Sequence, residues 1–265
     1  MAKPILDDRL WKIIEPLLPP PKKRRRRYPG RKPIANRHAL SAILFVLKTG
    51  LPWEHLPQEL GWGSGMTAWR RLYAWQRKGV WQKIHEALLA HLQEADRIDW
   101  SRAVVDSSSV RAVHGGKKTG PNPTDRRKSG SKHHLVTDAN GIPLAATVTA
   151  ANRHDVTQLL PLVDAIPPVR GKRGRPRKRP QRVQGDRAYD SHAHRQQLRC
   201  RGIQPVLARR NTEHGSGLGV FRWVVERSVS WLHQFRRLRV RCERRDDIHD
   251  AFLKLGCIVI CTYFL

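Results

Sequence analysis

Near residue 98 the spacing of apolar residues changes period, and this switch divides the chain into two kinds of structure. Before it, Ile5, Leu6, Leu10, Ile13, Ile14, Leu17 and Leu18 recur near helical spacing. Residues 38–48 (HALSAILFVLK) form a second apolar helix, stopped at Thr49-Gly50. A short helix near 53–60 precedes Gly61-Trp62-Gly63-Ser64-Gly65, and a helix from Thr67 to about Lys78 comes next, its start capped by a hydroxyl residue. In that helix Trp69, Leu72, Tyr73 and Trp75 alternate with Arg70, Arg71 and Arg77. Helices joined by a glycine-bearing turn, the last rich in arginine, resemble a helix-turn-helix, with Arg70 and Arg71 as candidate DNA contacts; an ordinary three-helix bundle gives the same pattern. An amphipathic helix over 80–96 is a natural linker to the second half of the chain.

After residue 98 the pattern is that of strands. Ala103-Val104-Val105 is a short apolar run ending in Asp106. Residues 132–150 hold two strand-like runs around Asn140-Gly141, a strong hairpin signal. Residues 155–165 read as a helix with Asp155 as a possible cap, Val183–Gly185 resumes the sheet, a helix lies at about 191–201 and a strand at 203–208. A long helix over about 220–240 and a last, buried one over about 247–263 complete the chain. A hairpin group and then alternating strands and helices predict a mixed α/β sheet flanked by helices. The expected organisation is a helical DNA-binding region over 1–97 and a catalytic α/β domain over 98–265.

Charge narrows the partners. The chain carries 51 Lys+Arg against 22 Asp+Glu, a formal +29, which disfavours compaction unless a polyanion neutralises it. Nucleic acid is the expected polyanion, because each neutralised phosphate releases a condensed counterion. Charge reports partners and not activity, so a ribosomal or nucleoid protein without chemistry fits equally well. Six consecutive cations at 22–27 lie in a basic arm over 20–33, and a second basic loop spans 169–182. Within that loop Gly174-Arg175-Pro176-Arg177 resembles the core of an AT-hook, though a nonspecific phosphate-binding loop using Arg175 and Arg177 explains it better. Cys200, Cys242, Cys257 and Cys261 form no CxxC or zinc-finger spacing and read as buried thiols in a reducing compartment. The N-terminus lacks the pattern of a secretion signal, and the apolar tail containing Lys254 is too short to span a bilayer, so a cytoplasmic, nucleoid-associated protein is expected.

Three carboxylates stand out. Asp106 follows one strand and precedes Ser107-Ser108-Ser109; Asp186 follows another and precedes Arg187-Ala188-Tyr189-Asp190; Glu226 lies in the long arginine-rich helix. Singly, each is ordinarily structural. Together they suit phosphodiester chemistry, in which divalent ions about 4 Å apart need oxygen ligands from rigid elements. On a helical wheel Phe221, Val225, Leu232 and Phe235 share one face, while Glu226 falls on the other with Arg222, Ser230, His233 and Arg237. That geometry permits either a metal ligand among phosphate-gripping cations or a surface Glu–Arg pair worth a few tenths of a kcal/mol.

The motif FRWVVERSVSWLHQFRRLRVRCERR resembles the signature around the catalytic glutamate of DDE transposases in the IS-five family of bacterial insertion sequences, with Arg222 and Glu226 at its R-x3-E core. VVDSSSVRA resembles that family's first-aspartate strand and GDRAYDS its second, and the stretches LWKIIEPLLPP, RHALSAILFVLKTGLPWEHLP and TAWRRLYAWQRKGVW resemble its leading domain. The resemblance implies an RNase H-like mixed sheet with the first aspartate on the first strand, the second on the fourth, and the glutamate on a following helix. It implies catalysis and metal binding by Asp106, Asp186 and Glu226 with two Mg²⁺ ions, Mn²⁺ being able to substitute. It also implies binding of terminal inverted repeats, cleavage and strand transfer, and a homodimer or higher oligomer on DNA. Only 40 positions separate Asp186 from Glu226, like the group without a large domain inserted there. Two positions depart from the family signature: Gly219 stands where Tyr is common, and His233 where Lys or Arg is common. Arg222, His233, Arg237 and Lys132 are candidate DNA contacts, His233 only when protonated; His133 and His134 could join Lys132, although a solvated hairpin suits all three better. Asp138, Asp155 and Asp190 compete for the metal role, Asp138 being best read as turn chemistry. The rival functions are a basic DNA-binding protein that never cuts and an RNase H-like nuclease that hydrolyses without joining.

Overall fold

The structure is a computed structural model describing residues 4–20, 26–30, 32–210 and 219–265. Much of the basic arm therefore lies outside the described residues. Asp7 accepts from the Arg9 N–H and starts α1 (Asp8–Ile14), which a single tight turn extends to Leu17. Two further helices, α2 (Asn36–Thr49) and α3 (Gly65–Arg77), flank two short turns at Trp53–His55 and Gln58–Leu60. The hydroxyl cap of α3 is Ser64, whose Oγ accepts from the Thr67 N–H, so the helix begins two residues before the expected Thr67. Helix α4 (Val80–Glu94) completes the N-terminal group.

The sheet comprises β1 (Ala103–Ala112), β2 (Gly120–Pro121), β3 (Ser129–Asp138) and β4 (Pro143–Ala150), then, past α5 (Val156–Asp164), β5 (Arg182–Gly185), and past α6 (His192–Cys200), β6 (Gln204–Leu207). The chain ends with α7 (Gly219–Gln234), a four-residue turn of helix α8 (Arg236–Arg239), β7 (Val240–Arg241) and α9 (Asp246–Cys261). In the sheet β1 is central. It pairs antiparallel with β3 and parallel with β5; β4 lies outside β3, and β6 lies parallel to β5. Taking the long strands in chain order, β1 is first and β5 fourth, the mixed-sheet arrangement that the family resemblance implied. The hairpin between β3 and β4 turns at Asn140-Gly141 as expected, with Gly141 at φ +91°, a conformation that strongly favours glycine. Asp138 does serve this turn: its carboxylate accepts from the N–H groups of Asp99, Asn140 and Ile142.

Several elements differ from the sequence reading. Asp106 is not at a strand end, because β1 runs on through the three serines to Ala112. The long helix predicted to reach 240 stops at Gln234, where Phe235 turns extended (ψ 111°), and resumes only as α8. Cys200 is exposed and Cys242 half-buried, so only Cys257 and Cys261 are the buried thiols expected.

The apolar core does not divide at residue 97. Helix α9 is buried on nearly all sides and packs against α3 and α4 as well as β4 and α7. Trp53 stacks on Phe252 of α9, centroids 5.9 Å apart, and a single cluster of buried side chains runs from Leu6 to Cys261. Replacing Phe252 by Ala should therefore cost about 3–5 kcal/mol and lower one melting transition seen alike by far-UV and tryptophan signals; two separated transitions would contradict the shared core.

Candidate active site

Strand geometry sets the first two carboxylates. In the parallel pairing of β1 with β5, Ala103 lies opposite Val183 and Val104 opposite Gln184. Two residues beyond the last pair stand Asp106, still on β1, and Asp186, the extended residue just past the end of β5, so strand alternation sets both toward the same face. On the opposite face Gly185 allows close packing, since a Cβ there would lie 2.9 Å from Val105 Cγ2 and 3.1 Å from Leu207 and Tyr189 side-chain atoms. Asp186 starts the turn Arg187–Tyr189 and accepts from the Ala188 N–H at 2.9 Å; Asp106 Oδ1 accepts from the Ser107 N–H at 2.8 Å.

The third carboxylate comes from α7, which packs on β1 and β3. Its buried face is Val224, Val225, Ser228 and Leu232, with Phe235 just beyond its end. Phe221, expected on that face, is exposed and lies against the Arg102 guanidinium. Arg222 and Glu226 face the Asp106 side. Arg222 Nη2 is 3.4 Å from Glu226 Oε1 and 4.0 Å from Asp106 Oδ1. Burial pushes the Asp106 carboxyl up to about 6; the Ser107 N–H and Arg222 oppose this, and the negative charges of Asp186 and Glu226 add to it. Asp106 thus lies within the electrostatic field of both other candidates. The three side chains are not drawn together into a closed ligand set: among the described residues no group of three His, Cys, Asp or Glu is arranged to hold a metal ion. Arg222 spans the gap between Asp106 and Glu226. The donor chemistry nevertheless suits a hard divalent cation, because all three side chains present carboxylate oxygens from a strand, a strand end and a helix.

Several expected DNA contacts are turned inward. Arg237 is buried, pairs with Glu243 Oε1 at 2.9 Å and donates to the Leu51 carbonyl at 2.6 Å. The wheel that set it beside Glu226 assumed an unbroken helix, and the break at Phe235 rotates it away. Half-buried His233 meets Ser108 on β1 through Nε2 at 3.1 Å; burial and Arg239 lower its pKa, so the protonated form needed for phosphate is disfavoured. Lys132 lies on the opposite face of the sheet, 2.9 Å from an Asp155 oxygen. Its neighbours are not a solvated hairpin: His133 and His134 are buried, and His133 Nε2 meets His249 Nε2 at 2.7 Å. Burial lowers the pKa of His134 to about 4 and of His249 to about 3. Arg71 bonds the Asn36 side chain at 2.8 Å and the Ile34 carbonyl, holding α3 to the start of α2. Arg70, Arg175 and Arg177 are exposed. The loop carrying the latter two is pinned by a bridge between Val169 and Arg177 and borders an open groove with Trp100, Lys178 and Arg179.

The two remaining competing aspartates have partners within the protein. Asp190 holds Arg195 at 2.7 Å and the Arg210 N–H at 2.8 Å. Asp155 precedes α5 but makes no capping hydrogen bond. Its Oδ1 instead accepts from Ser107 Oγ at 2.8 Å. Tyr189, buried beside this group, has its hydroxyl pKa raised by burial and by the charges of Asp155, Asp106 and Asp186. Sequence reasoning missed Ser107 and Tyr189; both lie inside the quoted motifs, but nothing in their spacing marked them.

Comparison with known proteins identifies the family. A family model described as "Transposase DDE domain" matches residues 101–261, which include all three carboxylates. A second, "Putative transposase of IS4/5 family", matches residues 6–85. The "Putative transposase for insertion sequence element IS402" of Burkholderia cepacia is 70% identical over 147 residues, covering 56% of this chain and 70% of that protein. A 16.2 kDa protein of the same IS402 element is 65% identical over 123 residues, 46% of this chain and 84% of its own length. The chain belongs to the DDE transposases of the IS4/5 family of insertion sequences. Among solved structures, a pre-cleavage Mos1 transpososome covers 88% of this chain and 80% of its own at 13% identity, with a TM-score of 0.28, too slight a likeness to build on. Among the described residues no helix is long and apolar enough to cross a membrane.

If Arg237 serves the fold and not DNA, Arg237→Ala should destabilise by about 3–5 kcal/mol, the effect of leaving a buried carboxylate unpaired. Arg70→Ala should stay within about 0.5 kcal/mol, as for surface changes generally. Urea unfolding of both variants tests this; equal stabilities would return Arg237 to the surface role.

Proposed function

We propose that this transposase cuts and joins DNA at a centre formed by Asp106, Asp186 and Glu226, with the helical region over 1–97 and the basic loop over 169–182 holding the DNA. The observation that carries the reading is electrostatic: Asp106 lies under the charges of both Asp186 and Glu226, with Arg222 set against Asp106 and Glu226. Neighbouring carboxylates repel one another unless a cation lies between them, and Arg222 supplies one positive charge between Asp106 and Glu226.

The three carboxylates would hold a pair of Mg²⁺ ions, with Mn²⁺ able to substitute. Divalent ions bound there supply polarisation of the phosphodiester and activation of its attacking group. The chain's own residues do the remaining work. The Ser107 and Ala188 N–H groups fix the orientation of the Asp106 and Asp186 carboxylates. Arg222, half-buried beside both Asp106 and Glu226, is placed to donate to a phosphate oxygen entering the site. Exposed Arg70, Arg175 and Arg177 hold duplex phosphates away from the centre, a contribution that weakens steeply with salt. Terminal inverted repeats are the DNA to be held. Hydrolysis frees a 3′-hydroxyl, and attack of that hydroxyl on a target phosphodiester forms the new P–O bond as the target's own 3′-oxygen leaves as a hydroxyl, with no covalent protein intermediate. Both ends must be held together, which calls for a homodimer or larger assembly on DNA.

Asp106→Asn, Asp186→Asn and Glu226→Gln should each abolish divalent-dependent nicking and joining of supercoiled plasmid carrying the element's ends, while end binding in gel shifts persists. Any of the three that keeps the wild-type rate loses its assignment. Nicked but never joined products would reduce the activity to that of a nuclease.

A further inference from the structure

The strand that carries Asp106 is gripped from behind. Side chains on β1 alternate, so Asp106 and Ser108 face α7, while Ser107 and Ser109 face the other side of the sheet. On that reverse side Ser107 Oγ donates to Asp155 Oδ1 at 2.8 Å, and Lys132 Nζ lies 2.9 Å from the same carboxylate. Lys132 stands on β3, where Ser109 is its partner across the pair, so it comes from the strand beside β1. Lys132 is itself fixed by the Arg153 carbonyl at 2.9 Å. His134, opposite Ser107 in the same register, brings Nδ1 within 3.8 Å of Asp155. The same Ser107 gives its backbone N–H to Asp106 Oδ1. One residue thus ties Asp155 on the reverse face to the Asp106 carboxylate on the front. Asp155 stands at the start of α5, where an aspartate ordinarily caps the helix, yet it makes no cap bond there.

We infer that Asp155 is a positioning residue for Asp106, acting through Ser107, with Lys132 holding the Asp155 carboxylate on the reverse face of the sheet. The inference rests on the reading of Asp106 as a metal ligand. Its physical basis is general: groups that orient a metal ligand from behind change metal affinity or activity by about 10- to 100-fold when removed. Asp155 does not touch substrate and is no catalytic residue.

The test uses the full-length chain and two readouts: Mn²⁺ binding without DNA, monitored by electron paramagnetic resonance, and the Mg²⁺ concentration giving half-maximal cleavage. Ser107→Ala removes the hydroxyl and keeps the N–H; Asp155→Ala removes the acceptor. Each should weaken Mn²⁺ binding and raise the Mg²⁺ midpoint by about 10-fold or more, with binding of end DNA in metal-free buffer unchanged. The double variant should lose no more than either single one, since the two act in series. Asp155→Asn, which keeps an accepting oxygen, should fall between wild type and Asp155→Ala. Wild-type Mn²⁺ binding in Ser107→Ala, or losses that multiply in the double variant, would overturn the proposal. Should Asp155→Ala fail to fold, Ser107→Ala and Asp155→Asn decide alone. Asp106→Asn is the reference: if it leaves Mn²⁺ binding intact, the assignment of Asp106 has failed; if it abolishes binding while Ser107→Ala does not, only the positioning role has.

Discussion

The burial of α9 is the interaction on which the rest of the structure depends. This helix is apolar around almost its whole circumference, and such a helix must be covered on every side. It is covered by α3 and α4 on one side and by β4 and α7 on another. The N-terminal helices are therefore held to the sheet by the last helix of the chain. Glu226 inherits its position from the same contact, because α7 packs on both α9 and β1. Gly256 allows this closeness; a Cβ there would meet Leu238 and Leu232 side chains at 2.7 and 2.8 Å.

Much of this is legible from residue patterns. Period and turn chemistry locate the helices, the Asn140-Gly141 hairpin and the order of strands, since these signals are local. The three candidate carboxylates are marked by motifs and not by spacing, because residues 106, 186 and 226 come into one neighbourhood only once β1 pairs with β5 and α7 packs on β1. The failures come from extrapolating local geometry. One ideal wheel over 220–240 misplaces Arg237 and Phe221, and for Arg237 the cause is a single extended residue, Phe235. Sequence alone makes Lys132 a hairpin cation and Asp155 a helix cap, because their partnership joins β3 to the start of α5, which no sequence window contains.

The charge of the chain also divides in a way composition conceals. Arg237 and Arg241 are buried cations serving the fold; Arg241 donates to Ser131 Oγ and to the carbonyls of Lys117 and Glu243. Arg71 and Arg195 are likewise engaged within the protein. Exposed arginines remain on α3 and on the loop before β5. An excess of +29 thus overstates the surface available to DNA, and a salt slope predicted from composition alone would be too steep.

The parallel pairing of β1 with β5 has one more consequence. The ladder pairs Val104 with Gln184, and the two aspartates follow just beyond it, so the placing of their backbones depends on this pairing more than on their own side chains. A slip of one residue in β5 would carry residue 186 to the far side of the sheet, among Ser107 and Lys132. Mutational drift can thus tune what surrounds the two acids but can hardly move one relative to the other, so insertions and deletions in this lineage should collect in the loop before Arg182 and spare the four residues of the strand itself.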